Sequence, residues 1–462
     1  MTIRSNCLRV VALTFLLLTG SWSRQAGAYS LLTHEQLIDL TWEDSIVPLL
    51  KSHYPDLTRE ELDRARAYAY GGCVIQDIGY YPFGDEFFSD LTHYVRTGDF
   101  VSALFRNAHN ANELAFAVGA LSHYIGDSYG HSQATNRAVP IEFPRLEKLF
   151  GKSVSYAQGR HEHVRTEFAF DIDQIAHHRL APLGYLRHIG IRVSVHQLAL
   201  AYYETYGLTE DFDVRKGRRI NLKGYQFATR TLIPRVAYAV TLLHRKQLPV
   251  EQDTPDAIEI EKESAEAARL YDWAAYRKKA GVETHLLAGV LWVLPKVGPL
   301  VMVAVKGPTA ASEADYMHSV VSATTVLHER LAIFTPVEAR RGRILSATSS
   351  TETMGPPEPK HPLPNRDLDT GKVVKPGGYP LTDTTYAELL HRLTRTPQQA
   401  IPPGIKSDVE AYYSDPNAPI ETKRHPLEWK QVQEELKILE AMPTSTEAAP
   451  YPTYGELDGP AK

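Results

Sequence analysis

Apolar and polar positions from Tyr29 to about Val240 recur with helical spacing, and few stretches alternate with period two. The chain therefore reads as all-α, without a sizeable sheet. His34-Glu-Gln-Leu-Ile-Asp-Leu-Thr-Trp begins one helix, with Thr33 as its N-cap. Thr58-Arg-Glu-Glu61 has the form of a capping box and opens a helix towards Tyr70. Ala103 to Gly130 has long apolar periodicity, and Val193 to Tyr206 and Gln226 to Leu243 are further helices. Asp256 to Lys279 is charged, alanine-rich and helical.

Leu286 to Val305 is more apolar, but Pro295, Lys296, Gly298 and Pro299 split it into halves too short to cross a bilayer. It reads as a buried helical hairpin or as an interfacial element giving peripheral membrane contact. Beyond about Arg340 Pro, Thr and Ser become frequent, with short helices expected only at Tyr386 to Thr394 and Pro426 to Ala441. The organisation expected is an export signal at 1–28, a catalytic domain at 29–245, a helical extension at 246–340, and a Pro-rich, partly disordered tail at 341–462.

The signal rests on Arg4 and Arg9 before the apolar run Val10 to Gly20 and on Ala26-Gly27-Ala28 as a small-x-small cleavage site. A periplasmic or extracellular protein is expected. Cleavage after Ala28 would leave Cys73 as the only thiol, so no internal disulfide is expected. The formal net charge is −5. Such a chain has no global field for collecting nucleic acid or anionic membrane, so attraction for phosphate must be local, and bound metal is the obvious source.

Ligand-type residues supply that source. His123, Asp127 and His131 recur every four residues within AFAVGALSHYIGDSYGH. On an α-helix each step of four turns about 40° and rises roughly 6 Å, so the three share one narrow face. Burying three unpaired polar groups there would cost several kcal/mol, and metal ligation removes that difficulty. His163 and Glu167 repeat the spacing. Upstream stand Asp77 in a glycine-containing loop, His93 after the aromatic loop YYPFGDEFF, His34, and Tyr29, whose α-amino group cleavage would free. His109, His161, His177 and His178 are set aside as ligands. Asp85 and Glu86 are read as solvating a loop, and Tyr80, Tyr81 and Phe83 as core or substrate contacts.

This order of ligands resembles the zinc-dependent phospholipase C family and its relatives, the single-strand-specific zinc nucleases. The resemblance covers about Tyr29 to Asp171. The four-residue step from Asp127 to His131 is most similar to the glycosylphosphatidylinositol-specific phospholipase D branch. The resemblance implies an all-α fold holding up to three Zn2+ ions. Asp77, His93, His123 and Asp127 would hold the first, and His131, His163 and Glu167 the second. The amino group and carbonyl of Tyr29, with His34, would hold the third, bridged to the first by Asp127. It implies a phosphodiester hydrolase using metal-activated water, with Asp77 as a catalytic residue that orients it. Glu162, Asp171 and Asp173 are candidates to fix the imidazole tautomers. The expected substrate is a phospholipid head group. The alternatives are a secreted nuclease acting on single strands and a non-catalytic, zinc-stabilised binding module.

Overall fold

A computed structural model of the protein describes residues 30–81, 84–209, 222–244, 254–277, 280–293, 305, 307–334 and 363–445. The expected leader 1–28, Tyr29, Phe83 and the Pro295 to Pro299 break lie outside them. The described residues are helical, and their only β pairings are two isolated bridges, Arg366 with Val373 and Ile401 with Thr444.

Helix α1 (Leu31–Thr41) carries His34. Its N-cap is Ser30, not Thr33. Thr33 lies inside the first turn because another group satisfies the orphan N–H donors there. The Asp171 carboxylate accepts from the backbone of Leu32 at 3.1 Å and of Thr33 at 3.0 Å, and from Thr33 Oγ1 at 2.7 Å. Helix α2 (Arg59–Gly72) begins with the expected capping box, in which Thr58 N donates to Glu61 Oε2 and Glu61 N to Thr58 Oγ1. It carries buried Arg66, which pairs with Asp39 of α1 at 3.0 Å and donates to Tyr185 OH at 2.6 Å.

Helix α3 (Glu86–Tyr94) ends at His93. The apolar run from Ala103 is two helices, α4 (Thr97–Arg106) and α5 (Ala111–Tyr129). The break falls at Asn107 to Asn110, where Asn110 Oδ1 caps α5 by accepting from Asn112 N and Glu113 N at 3.0 Å. Past Tyr129 the coil widens into a π turn, Gly130–Thr135, which holds His131. Helices α6 (Arg160–Ala176), α7 (Val195–Tyr206) and α8 (Ile233–His244) complete this part. Helices α2 and α5 pack so closely that a Cβ on Gly119 would lie 2.2 Å from Ala69 O, and one on Gly72 2.1 Å from Phe116 O.

The later elements pack onto this core. After α9 (Pro255–Leu270), α10 (Ala310–Phe334) places Tyr316 in a stack with Phe170 at 4.5 Å and against Thr33 Oγ1 at 2.9 Å. Between them the helix Val282–Val293 exposes Trp292 (75 %) and Val293 (72 %). Among the described residues no helix is long and apolar enough to cross a membrane. Within 363–445 the two expected helices are present as α11 (Pro380–Thr394) and α13 (Pro426–Ala441), with an additional α12 (Pro403–Tyr412) between them. The stretch 363–379 ahead of α11 runs irregularly over the start of α4 and the end of α3. Thr97 Oγ1 donates to Arg366 O at 2.7 Å, and Leu368 N donates to His93 O at 3.0 Å.

Candidate metal centre

Three elements converge on α5. His123 and Asp127 face inward from it, His93 arrives at the end of α3, and Asp77 sits on the 3-10 turn Gln76–Gly79 that follows α2. His34 comes from α1. His34, His93, His123 and Asp127 are fully buried, and Asp77 is nearly so. Asp127 Oδ1 lies 3.3 Å from His34 Nε2, while its Oδ2 lies 3.2 Å from both His93 Nε2 and His123 Nε2. Asp77 Oδ1 stands 3.3 Å from His93 Nε2. Two ligand triads result, His34 with His123 and Asp127, and Asp77 with His93 and His123. The two oxygens of one carboxylate face the two triads.

Hydrogen bonds set the tautomers. A carbonyl only accepts, so a ring nitrogen bonded to one carries the proton. His93 Nδ1 donates to Ser89 O at 2.7 Å and His123 Nδ1 to Cys73 O at 2.9 Å. Each ring then turns Nε2 into the site, and the two Nε2 atoms lie 3.3 Å apart. With both Nδ1 atoms protonated, the facing Nε2 atoms would oppose lone pairs unless a proton or a metal cation lies between them. Glu162, Asp171 and Asp173, expected to fix tautomers, do not touch these rings. Backbone carbonyls do so, because for His93 the oxygen one helical turn back is already in reach, and Asp171 instead caps α1.

The electrostatics agree with a cation cage. Burial works against the charge on Asp127, but the surrounding His123, His34 and His93 outweigh it and hold the carboxyl well below its usual range. Burial also opposes charge on His93, yet its bonds to Asp127 and Asp77 raise it well above the ordinary histidine value.

A second group lies beyond the π turn. His131 Nε2 is 3.9 Å from Glu167 Oε1, and His163 Nδ1 is 3.9 Å from the same oxygen. His131 Nδ1 donates to Leu368 O at 3.1 Å and His163 Nε2 to Val154 O at 2.7 Å, so each presents its other nitrogen inward. Burial, then the neighbouring His131, lowers His163 to about 3, with the Val154 bond opposing, so the ring is neutral. His131 Nε2, His163 Nδ1 and Glu167 Oε1 are buried without a hydrogen-bond partner. These orphaned atoms converge from two imidazoles and a carboxylate, a donor set suited to zinc.

The structure thus brings His34, Asp77, His93, His123, Asp127, His131, His163 and Glu167 together in adjoining groups, while Tyr29 lies outside the described residues. His177, set aside in the sequence, joins a further group with Asp173 and Glu313. Its Nδ1 is 3.4 Å from Asp173 Oδ1. Asp369 is the residue that sequence reasoning missed. It is fully buried, and its Oδ1 lies 3.9 Å from His131 Nε2. Its only sequence signal is an Asp-Leu-Asp-Thr-Gly run within a Pro-rich stretch, which many surface turns share.

Beside both groups is a cavity of about 120 Å³ lined by Tyr80, Asp90, Tyr94, Tyr156 and Arg160 among others. Tyr80 is thus a cavity residue, whereas Tyr81 is core, 5.9 Å from the ring of Tyr225. Asp85 caps α3 by accepting from Phe87 N at 3.2 Å. Burial pushes the Asp90 carboxyl up to about 7, with the hydrogen bond from Tyr80 opposing. Between about pH 4 and 7 the folded chain therefore holds a proton that the unfolded chain releases, and this contribution to stability is lost as pH rises through 7. Asp90→Asn in metal-free protein should remove the loss. Urea midpoints at pH 5 and 8 should lie closer together for the variant than for wild type, and equal spacing would contradict the assignment.

Residues 33–210 match the family model described as zinc dependent phospholipase C. Through this stretch the chain is similar to the zinc-dependent phospholipase C family. No curated protein and no solved structure matches it. The matched segment contains His34 to Glu167, so the family's domain and the ligand groups coincide. The family match and the clustered ligands together support a zinc-dependent phosphodiesterase of the phospholipase C and nuclease superfamily.

Proposed function

We propose that the protein is an exported phospholipase C-type enzyme that hydrolyses the head-group phosphodiester of a phospholipid, with up to three zinc ions. Asp77, His93, His123 and Asp127 would hold the first ion and His131, His163 and Glu167 the second. His34 and Asp127, with the backbone of Tyr29 after cleavage of the leader, would hold the third. Zinc bound there supplies a hydroxide near neutral pH and neutralises phosphate charge.

The chain's own residues do the rest. Asp127 sets the spacing of the two triads by turning one oxygen to each. Asp77 turns Oδ1 towards His93 Nε2, 3.3 Å away, and orients the attacking water. Arg160, on the cavity wall, is placed to donate to a phosphate oxygen, and Tyr80 and Tyr156 line the same cavity beside a head group. The observation that carries the reading is the bridging position of Asp127 between two imidazole-rich triads.

The exposed Trp292 and Val293 favour lipid over nucleic acid, since together they give an apolar tip suited to an interface. Zinc-loaded protein should release phosphorylated head group from phosphatidylcholine vesicles and leave single-stranded DNA intact. The reverse outcome would make it a nuclease. Activity on neither, with metal bound, would leave a zinc-stabilised binding module.

A further inference from the structure

The second ligand group, His131, His163 and Glu167, has a buried carboxylate beside it from outside the family-matched stretch. Asp369 lies on the irregular segment 363–379, and its other oxygens are already engaged. Its Oδ2 accepts from Tyr94 OH at 3.0 Å and from Tyr379 OH at 2.6 Å, and its backbone oxygen accepts from Asn136 Nδ2 at 2.8 Å. Its neighbour Leu368 donates to His93 O and accepts from His131 Nδ1, so the same two residues touch both ligand groups. The turn that delivers them needs Gly371, at φ +68°, where a Cβ would lie 2.4 Å from Ser128 O. What remains unsatisfied is Asp369 Oδ1. It is buried with no hydrogen-bond partner and faces His131 Nε2, in the same condition as His163 Nδ1 and Glu167 Oε1.

We propose that Asp369 is the fourth protein ligand of the second metal, closing that site with two imidazoles and two carboxylates and fastening segment 363–379 to the helical core. Three clustered ligands leave a tetrahedral zinc one ligand short, and the orphaned Asp369 Oδ1, 3.9 Å from His131 Nε2, is the carboxylate oxygen beside that group. Two carboxylates are costly to bury together without a cation. A site with four protein ligands has no open position for water, so the second metal is structural and water activation falls to the group around Asp77. The inference rests on the zinc reading above and adds to it a division of labour between the sites and a role for the C-terminal segment.

The test compares Asp369→Asn with Tyr379→Phe, measuring zinc per chain and its retention against a chelator. Outer ligand partners are worth about 10–100-fold in metal affinity, so loss of a ligand should weaken one zinc by roughly 100-fold or more. Asp369→Asn should lose one equivalent, whereas Tyr379→Phe, which keeps the inward oxygen, should retain the wild-type number. Limited trypsin digestion of wild type supplies a second readout that needs no variant. Cleavage after exposed Lys372 should speed up when zinc is stripped and slow when it is restored. Unchanged zinc retention in Asp369→Asn, or tryptic cleavage indifferent to zinc, overturns the proposal. A wild-type chain that binds no zinc at all sinks the metal reading itself, which is a different result.

Discussion

Asp127→Asn should all but abolish phosphodiester hydrolysis, lowering kcat by about a thousandfold or more, and should cost the protein metal as well as rate. Metal stabilisation of developing charge is worth several kcal/mol, and each 1.4 kcal/mol is about tenfold in rate. The carboxylate serves two triads at once, with Oδ1 towards His34 and Oδ2 towards His93 and His123. An amide keeps one acceptor and aims an NH2 at the other set, so one triad always faces a donor where it needs a ligand. Elemental analysis should therefore show depletion beyond that of His34→Ala, which touches one triad only. Chelation of the wild type should reproduce the kinetic loss, and zinc should restore the wild type but not the variant. Near-normal turnover in Asp127→Asn with full zinc would remove the bridging role.

Much of this site was legible because its ligands are local pairs on regular helices. His123 with Asp127 and His163 with Glu167 are four apart, and helical periodicity alone puts each pair on one face. The capping box at Thr58 was equally legible, since its partners are three residues apart. What failed depended on contacts distant in sequence. Thr33 looks like an N-cap by residue type, but Asp171, 138 residues away, already satisfies the first-turn donors. The tautomer-fixing groups are backbone carbonyls, which every residue has, so no side chain announces them. Asp369 lies 238 residues from His131 in a Pro-rich stretch, and only the folded path of 363–379 brings it to the metal group. The family match stops at residue 210, well before this segment. The segment's contribution is one carboxylate and a set of backbone bonds, which leave almost no pattern.

Gly119→Ala should destabilise the protein by about 3 kcal/mol, at the upper end of what overpacking in a core produces, and should weaken metal binding in step. The added Cβ would lie 2.2 Å from Ala69 O, 2.7 Å from Cys73 N and 2.8 Å from Gly72 Cα. All three are backbone atoms, so no side chain can rotate away, and α5 must retreat from α2. The same contact orients a ligand. His123, one turn beyond Gly119 on α5, donates from Nδ1 to the carbonyl of Cys73, the residue that ends α2. Pulling the helices apart therefore lengthens the bond that fixes the His123 tautomer, and both triads lose the geometry they share. Urea unfolding of the metal-free and zinc-loaded forms separates the two effects. Both midpoints should fall, and the extra stability conferred by zinc should be smaller than in wild type. A variant that lowers the metal-free midpoint but gains the full wild-type increment from zinc would show that helix spacing and ligand geometry are independent.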